Sequence, residues 1–189
     1  NRRTLQRIHE TSRGNPFYAL ELAAAMVRDP RPGEQLPIGS GLSELLADRL
    51  AGLAPATRDA LFVASAASQP DVALLEAVLG PSAVAARRAA EAAGLIRVET
   101  DAIEFAHPLL AAAAYGLPDR VARREWHARL AETVDARHEL MGDAPAAAVA
   151  GVLACHWNAA HDVPRALGAS VAAGLASKRV LAFSEAKRH

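Results

Sequence analysis

Seven histidines and one cysteine hold most of the versatile chemistry in this sequence. Histidine can ligate a metal, carry a proton or bond an anion, and a thiolate is a nucleophile. His156 and His161 stand five residues apart, which places them on different faces of a helix. No Asp, Glu or Cys pattern completes a ligand set around them, so packed or solvated histidines are expected and a metal is not. Cys155 precedes His156, but neighbouring helical residues point apart and form no thiol–imidazole pair. Cys155 is expected to be buried and structural, and no catalytic residue is assigned.

Two further sets of residues invite a binding role. Gly14-Asn15-Pro16 combines a glycine that permits close backbone approach with a proline that offers a rigid apolar face and no donor. Its ordinary reading is a connector between helices. His107 ends an alternating segment just before Pro108; its ordinary reading is a structural histidine satisfied by a backbone carbonyl. Arg120, Arg123, Arg124, Arg129 and Arg137 could form a basic strip. Asp119, Glu125, Glu132, Asp135 and Glu139 interleave with them, so a salt-bridged, solvated helix face is expected. Trp157 fits an apolar stripe, whereas Trp126 remains open to a partner or effector.

The elements that position these residues follow from composition and spacing. Hydrophobic residues make up 51% of the 189, yet aromatics only 4%. Alanine dominates the rest, which favours many close-packed helices over a thick aromatic core. Lys and Arg (21) balance Asp and Glu (21), unlike a dedicated nucleic-acid module with its basic excess. One cysteine excludes an internal disulfide and suits a reduced, cytoplasmic setting. No apolar run is long enough to cross a membrane.

Leu5 and Ile8 open an amphipathic helix that ends near Arg13-Gly14, and Pro16 can begin the next, which runs to Arg28. Residues 29–41, rich in Pro and Gly, read as a loop. Leu42, Leu45, Leu46, Leu50 and Leu53 form a stripe with Ser40 as its cap. Pro55 starts a helix to about Ser68, Asp71 caps a second, and Ser82 caps a third that stops at Gly94. Residues 95–99 and 103–107 alternate with period two about Thr100-Asp101, a β-hairpin. Three short helices and a hairpin are the order of a winged-helix domain. Pro108 restarts helix to Tyr115, and a charged helix follows from Asp119 to about Leu140. Val149, Val152, Leu153, His156, Trp157 and Ala160 fit one helical face. Asp162 and Pro164 turn the chain into a partner helix through Leu167, Val171 and Leu175, making an antiparallel, tetratricopeptide-like pair. Val180 to His189 read as the start of one more helix. One such unit cannot bury both faces, so further repeats are expected. Helical patterns at both ends suggest a piece of a longer polypeptide.

Gly14-Asn15-Pro16-Phe17-Tyr18-Ala19-Leu20-Glu21-Leu22, followed at a distance by Phe105-Ala106-His107-Pro108-Leu109-Leu110, Tyr115 and the Arg123-Arg124…His127…Leu130-Ala131 helix, resembles the large ATP-binding regulators of the LuxR type. These belong to the STAND class of AAA+-like ATPases. The resemblance spans nearly the whole chain. It implies a mainly α fold with a helical lid at 1–54, a winged helix at 55–107 and the start of a helical sensor region at 108–189. It further implies that Gly14, Asn15 and Pro16 form a nucleotide-binding motif whose proline packs against the adenine of ATP or ADP, and that His107 donates to a β-phosphate. Two residues depart from the pattern: Pro108 follows the histidine where Asp is common, and Ala111 stands where relatives carry Arg. Phe17 and Tyr18 read as packing residues, and Arg13 as an exposed helix end.

The sequence has no G-x-x-x-x-G-K-[ST], so the phosphate-cradling core and a C-terminal helix-turn-helix that reads DNA are expected elsewhere in the same polypeptide. Hydrolysis and tight nucleotide binding are not expected of this chain alone. An effector or protein is expected at the helical repeats. Two alternatives compete. One is a winged helix that itself binds DNA, its reader at 82–94 offering only Arg87 and Arg88. The other is a helical scaffold in which nucleotide plays no part.

Overall fold

The computed structural model describes residues 2–28 and 41–186 of the chain. Helix α1 (Arg2–Ser12) and helix α2 (Pro16–Arg28) are joined by a reversal at Arg13 and Gly14. Both take positive φ, 49° and 78°. A Cβ on Gly14 would meet no atom within 4 Å, so glycine is favoured there by its backbone angle and not by crowding. Asn15 Oδ1 accepts from the Tyr18 amide at 3.1 Å, and Pro16 occupies the first helical turn, where its missing N–H leaves nothing unpaired. Ile8 and Leu22 close a small cluster with Leu45 of α3 (Leu42–Ala51). Gly41 stands at the cap of α3 without a side-chain bond; Ser40 and the expected loop lie, but for Gly41, outside the described residues.

Leu46 and Leu50 turn the other way, into the main core. That core continues through α4 (Pro55–Ala66), α5 (Val72–Leu79) and α6 (Ala83–Ala92). Leu61 and Phe62 of α4 are both fully buried, and burying one such side chain stabilises by about 1.5–3 kcal/mol. Helix α4 stops at Ala66, two residues before the expected Ser68. Asp71 caps α5 as its position predicts, accepting from the Leu74 amide. Ser82 does not cap α6: its backbone is already helical, and its hydroxyl donates to the Leu79 carbonyl across the 3-10 turn Gly80–Ser82.

Strands β1 (Ile96–Glu99) and β2 (Ala102–Phe105) form the antiparallel hairpin. Thr100 and Asp101 between them both have positive φ, which matches the right-handed twist of the flanking strands. The segment before α5 adds a rung, with the Ile103 amide donating to Pro70 O and the Val72 amide to Asp101 O. The second strand ends at Phe105, and His107 belongs to the next helix as its cap.

Helix α7 (Pro108–Tyr115) and α8 (Arg120–Ala136) follow, the latter capped by Asp119. Helix α8 ends four residues before the expected Leu140, because Arg137 leaves helical geometry and His138–Met141 tightens to a 3-10 turn. Helix α9 (Ala146–Ala159) and α10 (Val163–Ala186) pack against each other. Val180 continues α10 and begins no new helix. Val163, Leu167, Val171 and Leu175, spaced by four, face solvent. The fold is thus mainly helical with one small two-stranded sheet, and its core crosses the 54/55 and 107/108 boundaries without a break. Among the described residues no helix is long and apolar enough to cross a membrane.

Candidate functional site

His107 is the side chain on which the hairpin, α7 and α2 converge. Its backbone is extended (φ −154°, ψ 142°), as a helix cap requires, and its Nδ1 accepts from the Leu109 amide at 3.2 Å. The bond satisfies a free helix amide, not the backbone carbonyl of the ordinary reading. It also fixes the tautomer: with Nδ1 accepting, the neutral ring carries its proton on Nε2, which becomes the donor.

Phe17 covers one face of this ring. The centroids are 3.9 Å apart and the planes 5° from parallel. The stack joins the first turn of α2 to the first turn of α7, about ninety residues apart in sequence. Asn15 and Pro16 lie exposed beside Phe17, and Gly14 is exposed just before them. The sequence therefore brings its two motifs to one place through Phe17, a residue expected only to pack. Asn15 spends its side-chain carbonyl on the α2 cap. Arg13 is an exposed helix end, as expected.

A second constellation sits at the far end of α7, eight residues or about 12 Å along the helix axis from His107. The Tyr115 hydroxyl lies 3.0 Å from His127 Nε2, and His127 Nδ1 lies 2.9 Å from His156 Nδ1. Both imidazoles are buried. Burial first, and the neighbouring His127 second, push His156 down to about 4. Burial and then Arg123 lower His127. At neutral pH both rings are therefore uncharged, and one Nδ1–H donates to the other Nδ1. If His127 donates, its Nε2 accepts the Tyr115 proton; if His156 donates, His127 Nε2–H donates to the Tyr115 oxygen. The rings also separate two cavities. His156 faces one of about 160 Å³ with Leu130, Val134 and Met141, and His127 faces one of about 290 Å³ with Tyr115 and His161.

Sequence reasoning placed His156 on a buried stripe but missed its partner. Nothing in local spacing pairs residues on α8 and α9 that are 29 positions apart. Cys155 is exposed, a correction to its expected burial: the face of α9 that packs inward carries Leu153, His156 and Trp157. Trp126 is half-buried near Phe62, with Arg129 over its ring, so the core claims much of it. The expected salt-bridged face of α8 forms only in part. Glu132 meets Arg165, and Arg137 meets Glu139, while no carboxylate among the described residues pairs with Arg120, Arg123 or Arg124. Among the described residues no group of three or more His, Cys, Asp or Glu could hold a metal. No protein-family model, curated protein or solved structure matches the chain.

Proposed function

We propose that this chain is the regulatory part of an ATP/ADP-switched transcriptional regulator of the LuxR type. Residues 1–54 act as lid, 55–107 as winged helix and 108–189 as the start of the effector-sensing helices. The phosphate-cradling core and the DNA-reading helix-turn-helix belong to the rest of the polypeptide. The observation that supports it best is the Phe17–His107 stack, which sets the Gly14-Asn15-Pro16 turn beside a histidine whose Nδ1 is occupied and whose Nε2 carries the proton.

In this mechanism Pro16 presents an apolar face to the adenine, Gly14 and Asn15 shape the backbone around it, and His107 Nε2–H donates to a phosphate oxygen. A nucleotide held by Pro16 and His107 would link α2 to α7, and its exchange would change how the two helices pack and release the DNA-binding end.

Binding of DNA by the helices 55–94 themselves is less well supported. Arg87 is tied to Glu91 at 2.8 Å, leaving Arg88 as the one exposed cation of that helix, too little for base readout. The test uses the whole polypeptide with His107→Ala and His107→Asp. ADP retention is expected to fall at least about tenfold in both, since a charge-assisted bond to phosphate is lost. Unchanged retention and unchanged basal output in both variants would refute the switch.

A further inference from the structure

The first two turns of α8 place Arg120, Arg123, Arg124 and His127 at i, i+3, i+4 and i+7, on one helix face. They line a cleft of about 290 Å³ closed by Tyr115 from α7 and His161 from the α9–α10 turn. No carboxylate lines it among the described residues. Asp119, at the α8 cap, gives one oxygen to the Val121 and Ala122 amides, and Asp162, beside His161, is engaged by Arg165.

This arrangement is costly by itself. Like charges at i, i+4 repel, and cations at a helix N-terminus oppose its dipole. Arg123 Nε and Arg124 Nε are buried without a hydrogen-bond partner, and a buried unmet donor costs about 1–3 kcal/mol. Arg123 is held in place, its guanidinium over the Tyr115 ring at 5.1 Å and its Nη2 donating to Pro118 O. A pre-positioned guanidinium beside two more cations, with no carboxylate lining the cleft among the described residues, calls for a compact ligand with several charged acceptors.

We propose that this cleft binds a small molecule through a doubly charged phosphate group. Its terminal oxygens can meet the Arg120, Arg123 and Arg124 donors and the Tyr115 hydroxyl together, which a single carboxylate cannot. The site lies at the opposite end of α7 from His107 and does not depend on the nucleotide reading.

The test is calorimetric titration of the 189-residue chain with inorganic phosphate, glycerol 3-phosphate and succinate, in chloride buffer. Saturable binding of glycerol 3-phosphate or of phosphate, with succinate at least about tenfold weaker, is expected; glycerol 3-phosphate binding tighter than phosphate marks a phosphomonoester site, and the reverse a free-phosphate site. Arg120→Gln, an exposed position with no partner to lose, and Arg124→Gln should each weaken binding about tenfold. Arg97→Gln, on the hairpin, should leave it unchanged. Absence of saturable binding, equal binding of succinate, or equal weakening by Arg97→Gln overturns the proposal.

Discussion

Phe17 and His107 lie face to face with their ring centroids 3.9 Å apart, and the same imidazole caps α7 through Nδ1. One side chain thus terminates a helix, fixes its own tautomer and carries the contact between distant segments. Each role is separable by substitution.

A double-mutant cycle isolates the stack. Phe17→Leu keeps much of the apolar volume, and His107→Asn keeps an oxygen acceptor for the cap while removing the ring. A coupling of about 0.5–1.5 kcal/mol is expected from urea unfolding of the two single variants and the double variant. His107→Ala loses the cap as well and should be destabilised by about 1 kcal/mol more than His107→Asn. Additive single effects, with no coupling, would show that the two rings do not support each other.

The buried His127–His156 pair makes stability depend on pH. His156 titrates near 4 when folded and near 6.5 when unfolded, so between those values the unfolded chain binds more protons. Stability therefore rises with pH through this window and is lost as pH falls from about 6.5 toward 4. His127, lowered too, acts in the same direction. The shift at His156 corresponds to at most about 3 kcal/mol. Asp59, raised by burial while Arg58 and Arg129 oppose the shift, acts in the opposite sense, because its folded form holds the proton more tightly than the unfolded chain. Urea midpoints at pH 7 and pH 5 should differ in the native chain and converge in His156→Asn. A flat profile for the native chain contradicts a buried neutral pair.

The parts of the fold that were legible are those encoded within a few residues. Pro16, Pro55 and Pro108 each stand in a first helical turn, Asp71 caps its helix, and Thr100-Asp101 forms the hairpin turn. Gly14 takes the left-handed geometry that a glycine after a helix suggests. What spacing could not give is the rotation of one helix against another. The end of α8 at Ala136 is set by the chain's return toward α9, not by a breaker residue, since no Gly or Pro precedes Gly142 there. The same rotation decides that Cys155 faces out while His156 meets His127. It also leaves Arg120, Arg123 and Arg124 away from the acids that alternate with them in sequence. Phe17 was read as packing and does pack, but against the one residue that makes the packing informative.

A last prediction concerns how the α1–α2 pair is held to the remainder. Glu21 on α2 is buried and forms an ion pair with Arg49 of α3, whose Nη2 also donates to Ala93 O at the end of α6 at 2.7 Å. Three segments are tied by one guanidinium. Removing one partner of a buried pair strands the other, whereas replacing both with apolar residues need not. Arg49 keeps some contact with water, so Glu21→Ala should cost about 3 kcal/mol, the low end of the range for buried pairs. The pair Glu21→Leu with Arg49→Met should recover most of it. Arg97→Ala, which breaks only the exposed contact with Glu104, should cost less than about 1 kcal/mol. Because the small Ile8–Leu22–Leu45 cluster and the Phe17–His107 stack are then the main anchors of α1 and α2, amide hydrogen exchange in both helices should accelerate in Glu21→Ala while α4 and α8 stay protected. Uniform acceleration across all helices would mean that the ion pair supports the whole core and not this junction.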